Sequence, residues 1–205
     1  VNLIDCHAHL DELKNLDADL DSAADAGVET VIGVGIDTET SRRILAIAKS
    51  HNRPRISAAV GLYPDEVTPS ELDSILELID AEYSRLNALG EIGLDYWIRA
   101  LRKNKPGRDE KKALMQEAFR RQLEKAKEYS LLPVIHSRGA WEDSLRLVRF
   151  MERGYDLRTE SIQAIFIKSV PGKDNDRDIT GFFIPFQPAD NFIPVHPGHE
   201  DIQQN

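Results

Sequence analysis

Short apolar segments alternate with longer amphipathic segments along the first three quarters of this chain. The short ones are typical of buried strands, and the longer ones carry apolar residues at helical spacing. Strands are predicted at 3–7, 30–36, 55–61, 88–96 and 132–137, and helices at 15–27, 37–51, 68–83, 109–130 and 141–154. Five successive strand-then-helix units predict a parallel sheet with right-handed crossover connections.

Two helix starts carry clear capping signals. Asp37 or Thr38 can cap the second helix, because short polar side chains accept hydrogen bonds from the free N–H groups of a first turn. Thr68 precedes Pro69, with Glu71 at the third helical position, which predicts a capping box at the start of the third helix.

The parallel sheet could close as an open doubly wound sheet or as a barrel. A dinucleotide-binding sheet would need a GxGxxG turn after its first strand, and HAHLDE (7–12) stands there instead. We therefore expect an α/β fold of the TIM-like (β/α) barrel type.

The barrel is expected to be incomplete, because a full one takes about 250 residues. Residues 161–169 read as a sixth strand, and beyond them prolines recur every few residues, so the tail is predicted to be irregular. The expected organisation is one domain with about six strands: a barrel portion at 1–155 and an atypical segment at 156–205.

Composition narrows the function classes. The net charge of −9 argues against a broad basic surface for duplex DNA, although a few arginines or bound metal ions could still meet phosphates. No apolar stretch approaches the roughly 20 residues of a membrane-spanning helix, so no membrane partner is predicted. Cys6 is the only cysteine, which excludes an internal disulfide and favours a cytoplasmic location.

Polar residues stand at the C-terminal ends of three predicted strands, where barrel enzymes place catalytic groups. These are His7 and His9 on the first, Glu91 on the fourth and His136 on the fifth. Strand alternation puts His7 and His9 on one face, with Asp5 beside them. A lone strand-end histidine is more often a hydrogen-bonded core residue. Three imidazoles and a carboxylate together favour a divalent metal such as zinc, manganese or nickel.

Four segments resemble the TatD family of metal-dependent hydrolases, within the amidohydrolase superfamily of (β/α)8 barrels. They are DCHAHLD (5–11), AVGLYPDEV (59–67), GEIGLDY (90–96) and FRRQLEKAKEYSLLPVIHSRGA (119–140). They follow the family's order and spacing over about the first 150 residues. The resemblance implies a DNase or phosphodiesterase that uses metal-activated water, one or two divalent ions (Mg²⁺, Mn²⁺ or Zn²⁺) and a DNA substrate.

The resemblance also assigns roles to the strand-end residues. His7 and His9 match the pair that holds a first metal, His136 matches a ligand of a second, and Glu91 matches the bridging, catalytic glutamate.

Further residues are expected around this centre. Arg138 resembles a phosphate-contacting arginine, while Tyr63 and Asp95 are expected on the substrate side and Asp5 is expected to orient an imidazole. Simpler roles stay open for three of them. Arg138 could be an ordinary surface residue, Asp95 could only fix the loop after the fourth strand, and Asp5 could only form a turn.

The tail departs from the family pattern. Ile167 or a neighbour stands where the family has a sixth-strand metal histidine, and no segment matches its eighth-strand Thr-Asp-x-Pro motif. His196 and His199 are interpreted as surface residues. Three readings stay open: a TatD-type DNase, a superfamily relative that cleaves another ester or an amide, and a truncated or degenerate barrel without full activity. The oligomeric state is not predicted.

Overall fold

A computed structural model describes residues 3–101, 105–152, 163–169 and 179–185. The strands are β1 (Leu3–Ala8), β2 (Val28–Val34), β3 (Arg55–Val60), β4 (Ala88–Asp95), β5 (Leu132–Arg138), β6 (Gln163–Ser169) and β7 (Ile179–Pro185). The helices are α1 (Leu16–Asp25), α2 (Thr38–Ser50), α3 (Pro69–Glu82), α4 (Arg108–Glu128) and α5 (Trp141–Glu152). Short 3-10 helices lie at Leu10–Glu12, Pro64–Glu66, Tyr83–Arg85 and Arg99–Leu101.

The seven strands form one sheet in chain order, β1 to β7. Strands β1 to β6 are parallel, as the strand-helix alternation predicts. They curl into an incomplete barrel with the helices packed outside, so the predicted fold class is confirmed.

The seventh strand was not predicted. β7 pairs antiparallel to β6, with Phe182 opposite Phe166, inside a segment expected to be irregular. Its aromatic and β-branched residues suit a strand. Pro185 stands at the end of β7, which is an edge strand within the described part of the chain, and a missing N–H group is tolerated there. His196 and His199 lie outside the described residues.

Alternate residues of each strand face different layers of the fold. On β5, Ile135 packs in the large core that also contains Ile75 of α3 and Phe119 of α4. The neighbouring Val134 belongs to a smaller cluster with Val34, Ala59 and Ala88. Since successive side chains of a strand point to opposite faces, this smaller cluster marks the inner, concave face of the sheet.

The helix caps follow the sequence signals in all but one contact. Asp37 caps α2 and forms a capping box with Thr40. Thr68 caps α3 by accepting from the Glu71 backbone N–H group. The Glu71 carboxylate departs from the capping-box prediction: it accepts from the Thr38 backbone N–H group at 2.7 Å, which ties the starts of α2 and α3 together.

None of the helices in the described ranges is both long enough and apolar enough to cross a membrane.

Candidate metal centre

The end of β4 carries two carboxylates toward the inner face of the sheet. Ile92 and Leu94 pack in the outer core, so Glu91 and Asp95 point the other way, and both are buried. Gly90 permits the close approach of β4 to β5 that this requires, because a Cβ atom there would lie 2.5 Å from the Cβ atom of Val134. The pairing sets Glu91 beside the strand that carries His136.

Glu91 stands between three imidazoles. Its Oε2 atom lies 3.5 Å from His7 Nε2 and 3.9 Å from His9 Nε2, and its Oε1 atom lies 2.8 Å from His136 Nδ1. The two Nε2 atoms of His7 and His9 are 3.3 Å apart. One carboxylate therefore presents one oxygen to the β1 histidines and the other to the β5 histidine.

The arrangement of His7, His9 and Glu91 fits a divalent cation. One ligand atom from each lies within 4.8 Å of the others. Imidazole nitrogen and carboxylate oxygen are the donors that zinc and similar transition metals bind. Within the described part of the chain, the buried Nδ1 atom of His7 has no hydrogen-bond partner, so this ring is not fully satisfied by protein contacts alone.

His9 is held by the backbone. Its Nδ1 atom lies 3.1 Å from the Val34 carbonyl oxygen at the end of β2. A carbonyl can only accept, so Nδ1 donates in this contact, and Nε2 is the ring nitrogen that faces the centre. A contact of this kind on the far ring nitrogen orients metal-binding histidines.

His136 contacts two carboxylates. Its Nδ1 atom faces Glu91 and its Nε2 atom lies 3.2 Å from Asp95 Oδ2. Burial alone would lower the pKa of His136, but the contacts with Asp95 and Glu91 outweigh burial and raise it to about 9. Burial would likewise raise the pKa of Glu91, and its hydrogen bonds with His136 and His7 lower it instead. Opposite charges therefore hold His136 between Glu91 and Asp95.

Tyr63 belongs to the same network. Its hydroxyl lies 3.2 Å from Asp95 Oδ2, and its ring meets the His136 ring edge-on at a centroid distance of 4.8 Å. Burial and the nearby Asp95 charge raise the pKa of Tyr63 far above its usual range, so the hydroxyl stays protonated and donates to Asp95.

Arg138 and Asp5 lie at the margins of the centre. Arg138 Nη1 is 3.8 Å from Asp95 Oδ2, which places its guanidinium group at the C-terminal end of β5. Asp5 Oδ1 accepts from the His7 backbone N–H group at 3.0 Å, so its recorded contact is with the β1 backbone rather than with an imidazole.

The structure thus brings His7, His9, Glu91 and His136 together, with Asp95 and Tyr63 behind His136. Sequence reasoning missed the Val34 carbonyl and Trp97, whose backbone N–H group donates to Asp95 Oδ1 at 2.8 Å. A backbone carbonyl leaves no mark in the sequence. Trp97 gave one signal, since it directly follows the GEIGLDY segment.

Comparison with known proteins gives one consistent family. The family model described as TatD related DNase matches residues 4–159. A metal-dependent hydrolase of Bacillus subtilis is 32% identical over 155 residues, which cover 72% of this chain and 55% of that protein. A human deoxyribonuclease is 30% identical over 160 residues, which cover 73% of this chain and 57% of that protein.

Solved structures agree on the fold. A TatD homologue from Escherichia coli superposes with a TM-score of 0.58 at 25% identity, over 74% of this chain and 55% of that one. A TatD-like protein from Archaeoglobus fulgidus gives 0.53 at 19% identity, over 73% and 64%, which is a likeness of fold alone. The chain spans about half the length of the curated relatives it matches.

Proposed function

Because the chain belongs to the TatD related DNase family, we propose that it is a metal-dependent hydrolase and that phosphodiester bonds of DNA are its substrate. The observation that carries this proposal is the convergence of three imidazoles on the two oxygens of Glu91. The deoxyribonuclease name of the human relative supports the choice of DNA.

In this proposal His7, His9 and Glu91 would hold one divalent cation, and His136, after release of the proton that it carries between Glu91 and Asp95, would help to hold a second. Metal ions bound there would polarise a phosphoryl oxygen and activate a water molecule. The chain's own residues hold the geometry. The Val34 carbonyl keeps His9 Nε2 directed at the centre, and Glu91 links the β1 and β5 halves of the site.

Asp95 and Arg138 serve the substrate side. Asp95 fixes His136 and the Tyr63 hydroxyl, so both face the centre in one arrangement. Arg138 lies beside Asp95 at the strand end, and its fork of donors suits two oxygens of one phosphate group. An acidic chain can bind DNA in this way because bound cations and one arginine, rather than a basic surface, meet the phosphates.

The test uses the purified chain. We expect bound metal by elemental analysis, and Mg²⁺- or Mn²⁺-dependent cleavage of single-stranded DNA and of bis(p-nitrophenyl) phosphate. Glu91→Gln should lower both activities by at least about 100-fold, since it removes the charge shared by both halves of the site. Glu77→Gln makes the same change on an exposed face of α3 and should leave both unchanged. Full activity in Glu91→Gln would refute the assignment of the site.

A second candidate function is a metal-binding barrel with little catalytic activity. The register of β6 places Ile167 opposite His136, so this position of the sixth strand offers no metal ligand. This candidate predicts stoichiometric metal in the parent chain together with no cleavage of either substrate. The proposed hydrolase predicts both metal and cleavage, so the same two measurements separate the candidates.

A further inference from the structure

Trp97 is a large apolar side chain beside the C-terminal ends of β4 and β5, the edge of the candidate centre that we call its mouth. It lies two residues beyond Asp95, where β4 ends, and about half of its surface (51%) is exposed. Large exposed apolar groups at a functional cleft are candidates for contact with a ligand.

The backbone of Trp97 is fixed by Asp95, and the indole packs closely against Gly139. The Trp97 backbone N–H group donates to Asp95 Oδ1, and Asp95 is itself fixed by His136. Gly139, directly after β5, leaves room for the indole, because a Cβ atom there would lie 2.3 Å from Trp97 Cδ1. Gly139 has a φ of +63°, which suits glycine. The exposed part of the ring is what remains after these contacts.

Trp97 also neighbours Arg138. The guanidinium carbon of Arg138 lies 5.7 Å from the centroid of the Trp97 ring, within the range of a cation–π contact. The same arginine lies 3.8 Å from Asp95 at the edge of the centre. A donor group suited to phosphate and an exposed aromatic ring are therefore adjacent on one side of the mouth.

Resting on the proposed function, we propose that Trp97 is a stacking platform for a base of single-stranded nucleic acid, next to the phosphate bound at Arg138. A base and its phosphate belong to the same nucleotide, so neighbouring sites for the two match the ligand. Every base has a π face, so such stacking tolerates any sequence. Bases of an intact duplex are stacked on each other, so the platform favours single strands over duplexes.

Tyr63 is a poorer candidate for this role. Tyr63 is half-buried where Trp97 is exposed, its ring contacts His136, and its hydroxyl is engaged by Asp95. Tyr83 is as exposed as Trp97, at 46%, but it precedes the start of β4 and so lies at the opposite end of the sheet. Tyr83 is therefore a matched control for an exposed aromatic residue away from the mouth.

The experiment compares two fluorescein-labelled 12-mers that carry the same phosphates: oligothymidylate and an abasic strand without bases. Binding is measured by fluorescence anisotropy in Ca²⁺ for the parent chain, Trp97→Ala, Trp97→Phe and Tyr83→Ala. We expect Trp97→Ala to raise the Kd for oligothymidylate about 5- to 100-fold, the usual effect of losing one stacked base. Trp97→Phe and Tyr83→Ala should stay within about threefold of the parent. The abasic strand should bind the parent chain and Trp97→Ala equally.

Three results would overturn the proposal: unchanged oligothymidylate binding in Trp97→Ala, an equal loss for the abasic strand, or no measurable binding of oligothymidylate to the parent chain. Hydrolysis of bis(p-nitrophenyl) phosphate tests the proposed function separately, because it is read without any oligonucleotide. If the chain hydrolyses this ester but fails the binding tests, the proposed function is supported and the stacking site is refuted.

Discussion

The β1 histidines owe their geometry to one backbone contact and one shared carboxylate. His9 is oriented by the Val34 carbonyl, and both imidazoles approach the same oxygen of Glu91. Two Nε2 atoms 3.3 Å apart can be satisfied by one bound cation more completely than by each other. Metal binding at these two histidines should therefore stabilise the folded chain.

Divalent metal should stabilise the folded chain through these histidines. A ligand that binds only the folded state, at a hundred times its Kd, raises the free energy of unfolding by about 2.7 kcal/mol. We expect Zn²⁺ or Mn²⁺ to raise the Tm of the parent chain, and His9→Ala to lose most of that rise. His51→Ala removes an imidazole far from the centre and should keep it. Equal rises in all three proteins, measured by thermal denaturation, would contradict the prediction.

The sequence alone identifies some residues of this centre but not others. His7, His9, Glu91 and His136 could be picked out because each is a polar group at the end of an apolar strand, where burial without a partner is costly. The role of Trp97 depends on a glycine at positive φ on a neighbouring strand end, which only the folded structure brings near.

At the scale of elements, α4 fixes the loop that carries Tyr63. The buried Gln122 accepts from the Leu62 backbone N–H group at 2.7 Å and donates to the Leu62 and Ala118 carbonyl oxygens. One side chain thus satisfies both backbone groups of the residue before Tyr63. A helical pattern predicted α4 as a whole but could not identify this contact, because its partner is 60 residues away.

Replacing Gln122 should loosen this loop. Gln122→Met has a similar length but leaves the buried N–H and C=O groups of Leu62 unpaired, at a cost of about 1–3 kcal/mol. Gln116→Met makes the same change on α4 at a half-buried position, where the lost partners can reach water, and should cost less. Urea denaturation of both variants measures the difference. A smaller loss in Gln122→Met than in Gln116→Met would contradict this account.

A second link between elements depends on pH. His51, just after α2, lies with Nε2 2.8 Å from Asp17 Oδ1 on α1 and with Nδ1 3.1 Å from the Ile47 carbonyl oxygen. Nδ1 also lies 2.9 Å from Ser50 Oγ, and the protonated imidazole can donate from both ring nitrogens to these oxygen atoms. The hydrogen bond to Asp17 raises the pKa of His51, despite the opposing effect of partial burial.

The pair of His51 and Asp17 should add to the free energy of unfolding below the pKa of His51 in the unfolded chain, about 6.5. This contribution should disappear as the pH rises through the higher pKa of His51 in the folded chain. Asp17 is 89% exposed, so solvent screening limits the effect to less than about 1 kcal/mol. We expect His51→Gln to be less stable than the parent chain at pH 5.5 and equally stable at pH 9. A stability difference that grows with pH in chemical denaturation would contradict the assigned direction.

At the scale of the whole molecule, sequence reasoning predicted the parallel strands but not how the sheet ends. Each strand-helix unit is local, so β1 to β5 follow from periodicity and turn signals. The direction of β7 depends on its pairing with β6, and both strands are apolar runs that could pair either way. Closure of a barrel is set by pairing between distant strands, which periodicity does not encode.

The curled sheet leaves β1 as an edge strand in the described part of the chain, paired with β2 on one side. Leu3 is 45% exposed and Ile4 67% exposed on this strand. An edge strand of this kind presents unpaired N–H and C=O groups together with exposed apolar side chains. Another strand can therefore pair with it. The purified chain should therefore associate with itself as its concentration rises.

A charge on this edge should suppress that association. Ile4→Lys keeps the β1 backbone but makes approach of a second strand unfavourable, and it should change the free energy of unfolding by less than about 0.5 kcal/mol because Ile4 is mostly exposed. Sedimentation velocity over a concentration series measures association. Tyr83→Lys places the same charge on an exposed aromatic position away from the edge and should associate like the parent chain. If Tyr83→Lys reduces association as strongly as Ile4→Lys, net charge rather than the β1 edge controls it.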